Sequence, residues 1–367
     1  MPPRHILVVN AGSSTLKLRL LDAGDALEAD AELPAAEDPR PALEEFLAGA
    51  PEPDAAGHRV VHGGSEYVAA TRVDHDVEAH LEALRELAPL HNPPALAAIH
   101  ALARLRPELP AVACFDTAFH AGLPAAAATY ALPEAWRRRW PLRRFGFHGL
   151  SHAYVAQRTA ELCARPAADL RIVSAHLGGG ASLAAVGGGR SVDTTMGFTP
   201  LEGLVMATRS GSVDPGLILW LERRGGLDAA EIETALEAES GLVGLSGTSS
   251  RMGDLLAASR NGDERAGLAV DVYVHRLRAG IAAMAAALEG LDALAFTGGV
   301  GEHEPEVRSL ACRGLGFLDV ELDGTANERA SAGADAILDS GRKRVRVVLV
   351  HAREDLEIAA QVRAVLQ

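Results

Sequence analysis

Aromatic side chains are scarce, with Phe, Trp and Tyr making up 4% of the 367 residues. A core built without them is filled by Ala, Leu and Val, which the 48% apolar content supplies. Cysteine is also rare: Cys114, Cys163 and Cys312 are odd in number, far apart and form no Cys-x-x-Cys pair. That pattern argues against a disulfide framework and predicts reduced thiols in a reducing compartment. Positive charge is in deficit, since 35 Lys and Arg face 49 Asp and Glu for a formal net charge of −14. A nucleic-acid binder would show a basic face, so that class is disfavoured, and an anionic substrate needs a local positive pocket against the overall field. Long apolar runs are missing too. The longest, Ile281 to Leu288, falls well short of the roughly 20 residues a membrane helix needs. Only Ile6 to Val9 precede Asn10 as an apolar run, too short for the core of a signal peptide. The expectation is a soluble, cytoplasmic chain of two ordinary domains with no nucleic-acid or membrane partner.

What the chain does have is glycine in three particular turns. Ile6 to Val9 runs into a small polar turn, Asn10 to Thr15, and then into an alternating stretch with Leu16, Leu18 and Leu20 on one face and Lys17 and Arg19 on the other. The period of two beyond the turn marks a second strand. A Walker loop needs a helix there, so this is a different motif. Its residues still suit a phosphate: Gly12 gives backbone access, Ser13, Ser14 and Thr15 offer hydroxyls, and Lys17 offers charge. An ordinary hairpin is the plain alternative. The pattern returns at Arg171 to Val186, where His176 stands where Asn10 stood and Gly178 to Gly180 form the turn. A third turn, Phe296-Thr-Gly-Gly-Val-Gly-Glu-His303, joins an apolar run to the helix-like Pro305 to Leu310. Such a strand-to-helix turn presents N–H groups where anions bind. Two hairpins in corresponding places predict two similar lobes around a phosphate-bearing ligand.

Other stretches carry candidate chemistry. Arg59 sits within an apolar strand, His58 to Val61, that ends in Gly63-Gly64. A buried arginine requires a carboxylate partner or an anionic ligand, and the residues leave both open. His58 and His62 on such a strand are too far apart to share a metal tightly. Asn92 reads as the cap of a helix running to Leu105, with His91 just outside it. Residues 22 to 57 read as Ala-, Pro- and acid-rich, with a helical patch near Leu43 to Leu47. Asp116 follows the buried-strand run Ala111 to Phe115, either as a ligand contact at a strand end or as the cap of the next turn. Arg137 to Arg144 is the most basic segment, and Phe147-His148-Gly149 leads from it into a helix capped at Ser151. His148 and His152 have the i,i+4 spacing of a zinc helix but lack its glutamate. Arg209 is the single cation in the long loop Asp193 to Gly216, a kind of segment more often functional than decorative. Leu268 to Leu288 reads as a long helix with Val272, Leu277, Ile281 and Leu288 inward. Val345 to Val350 reads as a core strand, and Glu354 opens the last helix.

Taken in order, these stretches resemble the acetate kinase family (acetokinases). The resemblance rests on Asn10-Ala-Gly-Ser-Ser-Thr-Leu-Lys17, His58-Arg-Val-Val-His-Gly-Gly64, Phe115-Asp-Thr-Ala-Phe-His120, Arg144-Phe-Gly-Phe-His-Gly-Leu-Ser-His152, His176-Leu-Gly-Gly-Gly-Ala-Ser182, Asp193 to Gly216, and Phe296 to Glu302. It implies the α/β fold of the acetate and sugar kinase, Hsp70 and actin superfamily, with two ribonuclease H-like lobes and an interlobe active-site cleft. The first lobe is expected over 1–117 plus 353–367, on the acceptor and metal side. The second is expected over 118–352, on the nucleotide side and at a homodimer contact.

The implied reaction is reversible transfer of a phosphoryl group from ATP to acetate by direct in-line attack, with Mg²⁺ or Mn²⁺, giving acetyl phosphate and ADP. By resemblance Asp116, His148 and Arg209 are catalytic, and Arg59, Val61, Leu90, Phe147 and Pro200 receive the acid. The nucleotide falls to Lys17, His176, Leu177, Gly178, Gly179, Gly180, Arg251, Met252, Gly253, Gly299, Val300, Gly301, Glu302 and His303, and the metal to Asn10 and Glu354. Three places depart from the family pattern. Gly179 and His303 stand where asparagines are usual, and Arg251 and Gly253 replace an acid and an arginine. Propionate or another short acid as acceptor, GTP or pyrophosphate as donor, and an inactive nucleotide-gated scaffold on the same fold are the alternatives.

Overall fold

The computed structural model describes residues 3–12, 15–84, 92–330 and 333–367. The chain divides into two compact units. The first is Met1–Ala121 with Phe147–Tyr154 and Arg353–Gln367, and the second is Gly122–Gly146 with Val155–Ala352. The segment Phe147–Tyr154, expected in the second lobe, therefore belongs to the first. Gly149 N–H donates to the Asp116 carbonyl at 2.9 Å, and Leu150 lies in one apolar cluster with Ile6, Val8 and Ile358. Only glycine permits this approach, because a Cβ at Gly149 would stand 2.1 Å from Asp116 O.

In the first unit Ile6–Ala11 (β1) and Thr15–Leu21 (β2) form the expected hairpin, with Asn10 opposite Lys17. Leu27–Pro34 (β3), Ala55–Val60 (β4), Thr71–Arg72 (β5) and Ala111–Phe115 (β6) complete a six-stranded sheet in the order β3-β2-β1-β4-β6-β5. β1, β4 and β6 are parallel and covered on both faces. This is why they read as nearly continuous apolar runs. Leu7 and Val9 pack toward the helices Arg40–Gly49 and Asn92–Leu105. Their neighbours Ile6 and Val8 pack toward the helix Glu354–Leu366. β3 lies within the stretch 22 to 57, read from sequence only as Ala-, Pro- and acid-rich with a helical patch near Leu43 to Leu47. Its alternating Ala and acidic residues have little strand preference of their own, and pairing with β2 supplies it.

The second unit repeats this plan. Arg171–Leu177 (β7), Ala181–Gly187 (β8), Arg190–Thr194 (β9), Ala293–Thr297 (β10), Ala336–Ile337 (β11) and Arg346–Leu349 (β12) form a sheet ordered β11-β12-β10-β7-β8-β9. Read from the other edge it is the first sheet again: an antiparallel meander, two further parallel strands, and a short antiparallel edge. The repeated hairpin seen in the sequence is thus the first third of a repeated sheet. The long helix Glu264–Ala287 begins before Leu268, which is exposed; Leu277 and Ile281 are buried as expected, Val272 only half so.

Among the described residues four histidines are buried in the first unit: His58, His62, His120 and His152. Burial holds His58, His62 and His120 neutral, depressing each pKa from 6.5 to about 4. Between those values the unfolded chain binds protons that the native state does not, so stability rises with pH across that window and is lost as pH falls. The melting temperature is expected to fall as pH is lowered from 6.5 toward 4, with a shallower slope in His58→Leu. Identical slopes in the two proteins would contradict this account.

Candidate active site

In the first unit, polar groups converge at the ends of the parallel strands, where open α/β sheets place ligands. Arg59, near the end of β4, donates through Nε to Asp116 Oδ1 at 3.1 Å and through Nη2 to Asp116 Oδ2 at 2.5 Å. Its Nη1 donates to Asn10 Oδ1 at 3.2 Å. Glu354, the first residue of the last helix, lies 3.9 Å from Arg59 Nε and accepts from Asn10 Nδ2 at 3.4 Å. Burial works against the Arg59 charge, but the Asp116 and Glu354 carboxylates outweigh it and hold its pKa above the ordinary value. Burial pushes the Asp116 carboxyl up, with Arg59 pulling against it. Asp116 is 1% exposed and Arg59 17%, so the carboxylate is held out of water while the arginine side chain keeps some exposure.

Asp116 also fixes the segment after it in the fold. Its carboxylate takes the His148 N–H, and its carbonyl takes that of Gly149. His148 itself has φ 56, a left-handed conformation that non-glycine residues seldom hold unless the surroundings impose it. Phe147 is buried, with its carbonyl 3.1 Å from His120 Nε2 and its ring 5.5 Å from that of His62. Val61 is half-buried just past β4. Asn92 does more than start its helix: its amide clamps the backbone N–H and C=O of His62 at 3.1 Å each. Leu90, His91, Ser13 and Ser14 lie outside the described residues. Gly12 N–H closes the first turn onto Thr15 O at 2.8 Å, and Lys17 lies 3.3 Å from Glu32 of β3.

Among the described residues no group of three or more His, Cys, Asp or Glu converges to hold a metal. Magnesium needs less, since it keeps several waters and is bound through one or two carboxylates together with substrate phosphates. Glu354, with the amide of Asn10 beside it, is a donor set of that kind.

The second unit holds Arg209, Pro200 and the glycine turns. Arg209 Nε donates to Glu237 Oε2 at 2.8 Å, with both side chains 19% exposed. The loop around it is tied down by Met206 N–H to Arg209 O at 3.1 Å, and Gly241 (φ 61) passes so close that a Cβ would stand 2.3 Å from Met206 O. Glu237 was not legible in sequence, as no spacing rule connects it to a residue 28 positions away. Pro200 is buried. The hairpin turn after β7 and the turn after β10 lie side by side: a Cβ on Gly298 would stand 2.8 Å from Leu177 O, and Gly178 lies against His176 and Gly299. Gly179 and Gly299 are exposed with open space before them.

Other residues expected at the nucleotide are placed differently. Leu177 and Met252 are buried and can offer only backbone. Val300 is half-buried, and His303 turns its Nδ1 to Gly299 O at 2.8 Å. Glu302 points inward, its carboxylate bonded to His351 Nδ1 at 2.6 Å and to Ala352 N–H at 3.0 Å. The fully buried Arg308 donates to the carbonyls of Gly301 and Glu302 at 2.7 and 2.9 Å, bracing the turn from below. Arg251 is 84% exposed beside Asp254.

A doubled α/β sheet with a buried arginine–carboxylate cluster in one unit and paired open glycine turns in the other defines a phosphotransferase of the two-lobe acetate and sugar kinase, Hsp70 and actin superfamily. Residues 44–360 match the model of the acetokinase family. The chain belongs to that family, phosphotransferases with a carboxyl group as acceptor. It is 50% identical over 317 residues to an acetate kinase of Gloeobacter violaceus, covering 86% of this chain and 77% of that one. It is 44% identical to an acetate kinase of Leifsonia xyli over 97% of both. Among solved structures, acetate kinase of Porphyromonas gingivalis superposes with a TM-score of 0.91 at 34% identity, over 99% of this chain and 100% of that one. A propionate kinase of Francisella tularensis superposes with 0.89 at 32%, over 98% of each.

Proposed function

We propose that this protein transfers the terminal phosphoryl group of ATP to acetate, reversibly, giving acetyl phosphate and ADP. The observation that carries the reading is the buried Arg59–Asp116 pair with Asn10, His148 and Glu354 around it, in a chain of this family. Acetate is already ionised near pH 7, so its oxygen attacks the terminal phosphorus without a general base. The bond to the bridging oxygen breaks, and ADP leaves with that electron pair. What remains for the protein is positioning and charge neutralisation. Arg59, locked by Asp116, receives the acetate carboxylate, and Val61 and Phe147 offer apolar contact to its methyl group. Arg209, held by Glu237, presents its guanidinium to the transferring phosphoryl, and the His148 ring donates to the equatorial oxygens. Gly179, Gly180 and Gly299 supply backbone N–H groups to the nucleotide phosphates. Glu354 and Asn10 would hold Mg²⁺ (or Mn²⁺), which would offset phosphate charge.

Propionate is the second reading, favoured by the similarity to the Francisella enzyme. One methylene in an apolar pocket separates two acids by only about 1–3 kcal/mol. Acyl hydroxamate formation with acetate, propionate and butyrate is expected to show activity highest with acetate. No acyl phosphate from any acid with ATP, GTP or pyrophosphate would turn the reading to an inactive nucleotide-binding scaffold. We place the protein in the cytoplasm, consistent with three free cysteines and no described helix long and apolar enough to cross a membrane. We also assign it a homodimer through the second unit, where Leu217, Leu219, Trp220 and Leu268 are exposed. Light scattering after gel filtration tests that assignment, and a monomer at micromolar concentration rejects it.

A further inference from the structure

The place left by the missing side chain of Gly253 is occupied by an acid. A Cβ on Gly253 would stand 2.9 Å from Glu304 Oε1, so the carboxylate rests against the open face of this glycine. Glu304 directly follows the short helix Gly298–His303 and is half-buried. Burial raises its carboxyl above the ordinary value, against the pull of His303, Arg260 and Arg308. Neighbouring Glu306 takes Arg260 at 3.9 Å, and the Arg308 guanidinium is engaged by backbone carbonyls and Asn327. Among the described residues the Glu304 carboxylate has no hydrogen bond or ion pair of its own. It is a half-buried acceptor whose oxygens are open to a donor brought by a ligand.

Its distance from the open glycines limits what it can reach. Six residues at 1.5 Å each make the Gly298–His303 helix about 9 Å long. From phosphates at Gly299, that span reaches the sugar of a nucleotide and stops short of the far edge of a purine. A ribose presents two adjacent hydroxyl donors, and an ionised carboxylate is acceptor-only, the same match by which an Asp or Glu reads ribose in dinucleotide folds. The base finds less. Gly253 offers no side chain, and Arg251 is 84% exposed beside Asp254. An inorganic donor seated at the same glycines brings no hydroxyl to the carboxylate and gains nothing from it.

We propose that Glu304 is the specificity-determining residue for the phosphoryl donor: its carboxylate accepts hydrogen bonds from the ribose hydroxyls of a nucleoside triphosphate, so the enzyme reads the sugar strictly and the base loosely, and pyrophosphate gains nothing from it. This rests on the reading that the two glycine turns hold the donor phosphates. Where Gly253 stands in place of the family's arginine, the polar group beside it comes from a residue 51 positions later in the chain.

The test compares ATP, GTP, 2′,3′-dideoxy-ATP and pyrophosphate in the unmodified enzyme and in Glu304→Ala. In the unmodified enzyme, KM for dideoxy-ATP should exceed that for ATP by about tenfold or more, while GTP stays within about tenfold of ATP, the scale of one lost hydrogen-bonded contact. Glu304→Ala should raise KM for ATP about tenfold, to near that of dideoxy-ATP, and leave KM for dideoxy-ATP and for acetate unchanged. Glu304→Gln, which keeps an acceptor oxygen, should fall between. Equal effects of Glu304→Ala on ATP and dideoxy-ATP, or a strong preference for ATP over GTP, overturn the proposal. Calorimetry with ADP and dideoxy-ADP reads the same contrast without turnover. ADP bound without that contrast removes Glu304 alone, whereas no ADP binding removes the phosphate reading beneath it.

Discussion

Arg59→Met is expected to lower the stability of the protein by about 3–5 kcal/mol and to abolish measurable phosphoryl transfer. The first effect follows from Asp116, which is 1% exposed and would be left charged or forced to take up a proton, with no other cation beside it among the described residues. Removing one member of a buried ion pair strands the other and costs about 3–5 kcal/mol, whereas exchanging both for apolar groups of similar volume is often close to neutral. The second effect follows from the proposed role of the guanidinium toward acetate. Combining Arg59→Met with Asp116→Leu separates the two. Urea denaturation should show much of the lost stability returning in the double variant, with no return of hydroxamate formation. A single variant within about 1 kcal/mol of the parent would show that water already reaches the pair. Activity in the double variant would assign Arg59 a purely structural place.

Arg209→Lys should leave fold and nucleotide affinity nearly unchanged while kcat falls by about 10²- to 10⁴-fold, the scale of a lost electrostatic contact to the transition state. Glu237 is the reason the substitution is not conservative. It takes Nε at 2.8 Å, which fixes the plane of the guanidinium and turns the remaining N–H groups elsewhere. A lysine keeps three N–H donors on one nitrogen but has no planar fork, so an ammonium drawn to Glu237 cannot also hold a second nitrogen in fixed geometry toward the phosphoryl group. Glu237→Gln should lower kcat less, since an acceptor remains. A near-normal kcat in Arg209→Lys would leave Arg209 as a brace for its loop.

The fold was legible where apolar periodicity was strong. β1, β2, β7, β8 and β6 can be read from runs and alternation, and the repeated hairpin announced the repeated sheet. β3 could not be read, because Ala and Glu in alternation are not strand formers until a neighbour pairs with them. The ion partner of Arg59 was half legible: a buried arginine demands a carboxylate, and Asp116 stood at a strand end, but no rule joined the two. Glu237, Glu304 and the inward turn of Glu302 were out of reach for the same reason. Each depends on which distant loop the fold brings alongside, and short-range spacing carries no record of that.

The division of the chain bears on its synthesis. The first unit contains both the earliest residues and the last, since Ile358, Ala359 and Val362 complete the apolar face formed by Ile6, Val8, Ala55 and Val112. Chains commonly fold from the amino end as they emerge. Here the amino-terminal sheet must wait with one face uncovered while the whole second unit, ending at Ala352, is made and can fold ahead of it. A chain cut short after residue 352 would therefore carry every element of the second unit but a first unit with one face uncovered, whose exposed strands are the part of this protein most in need of a chaperone.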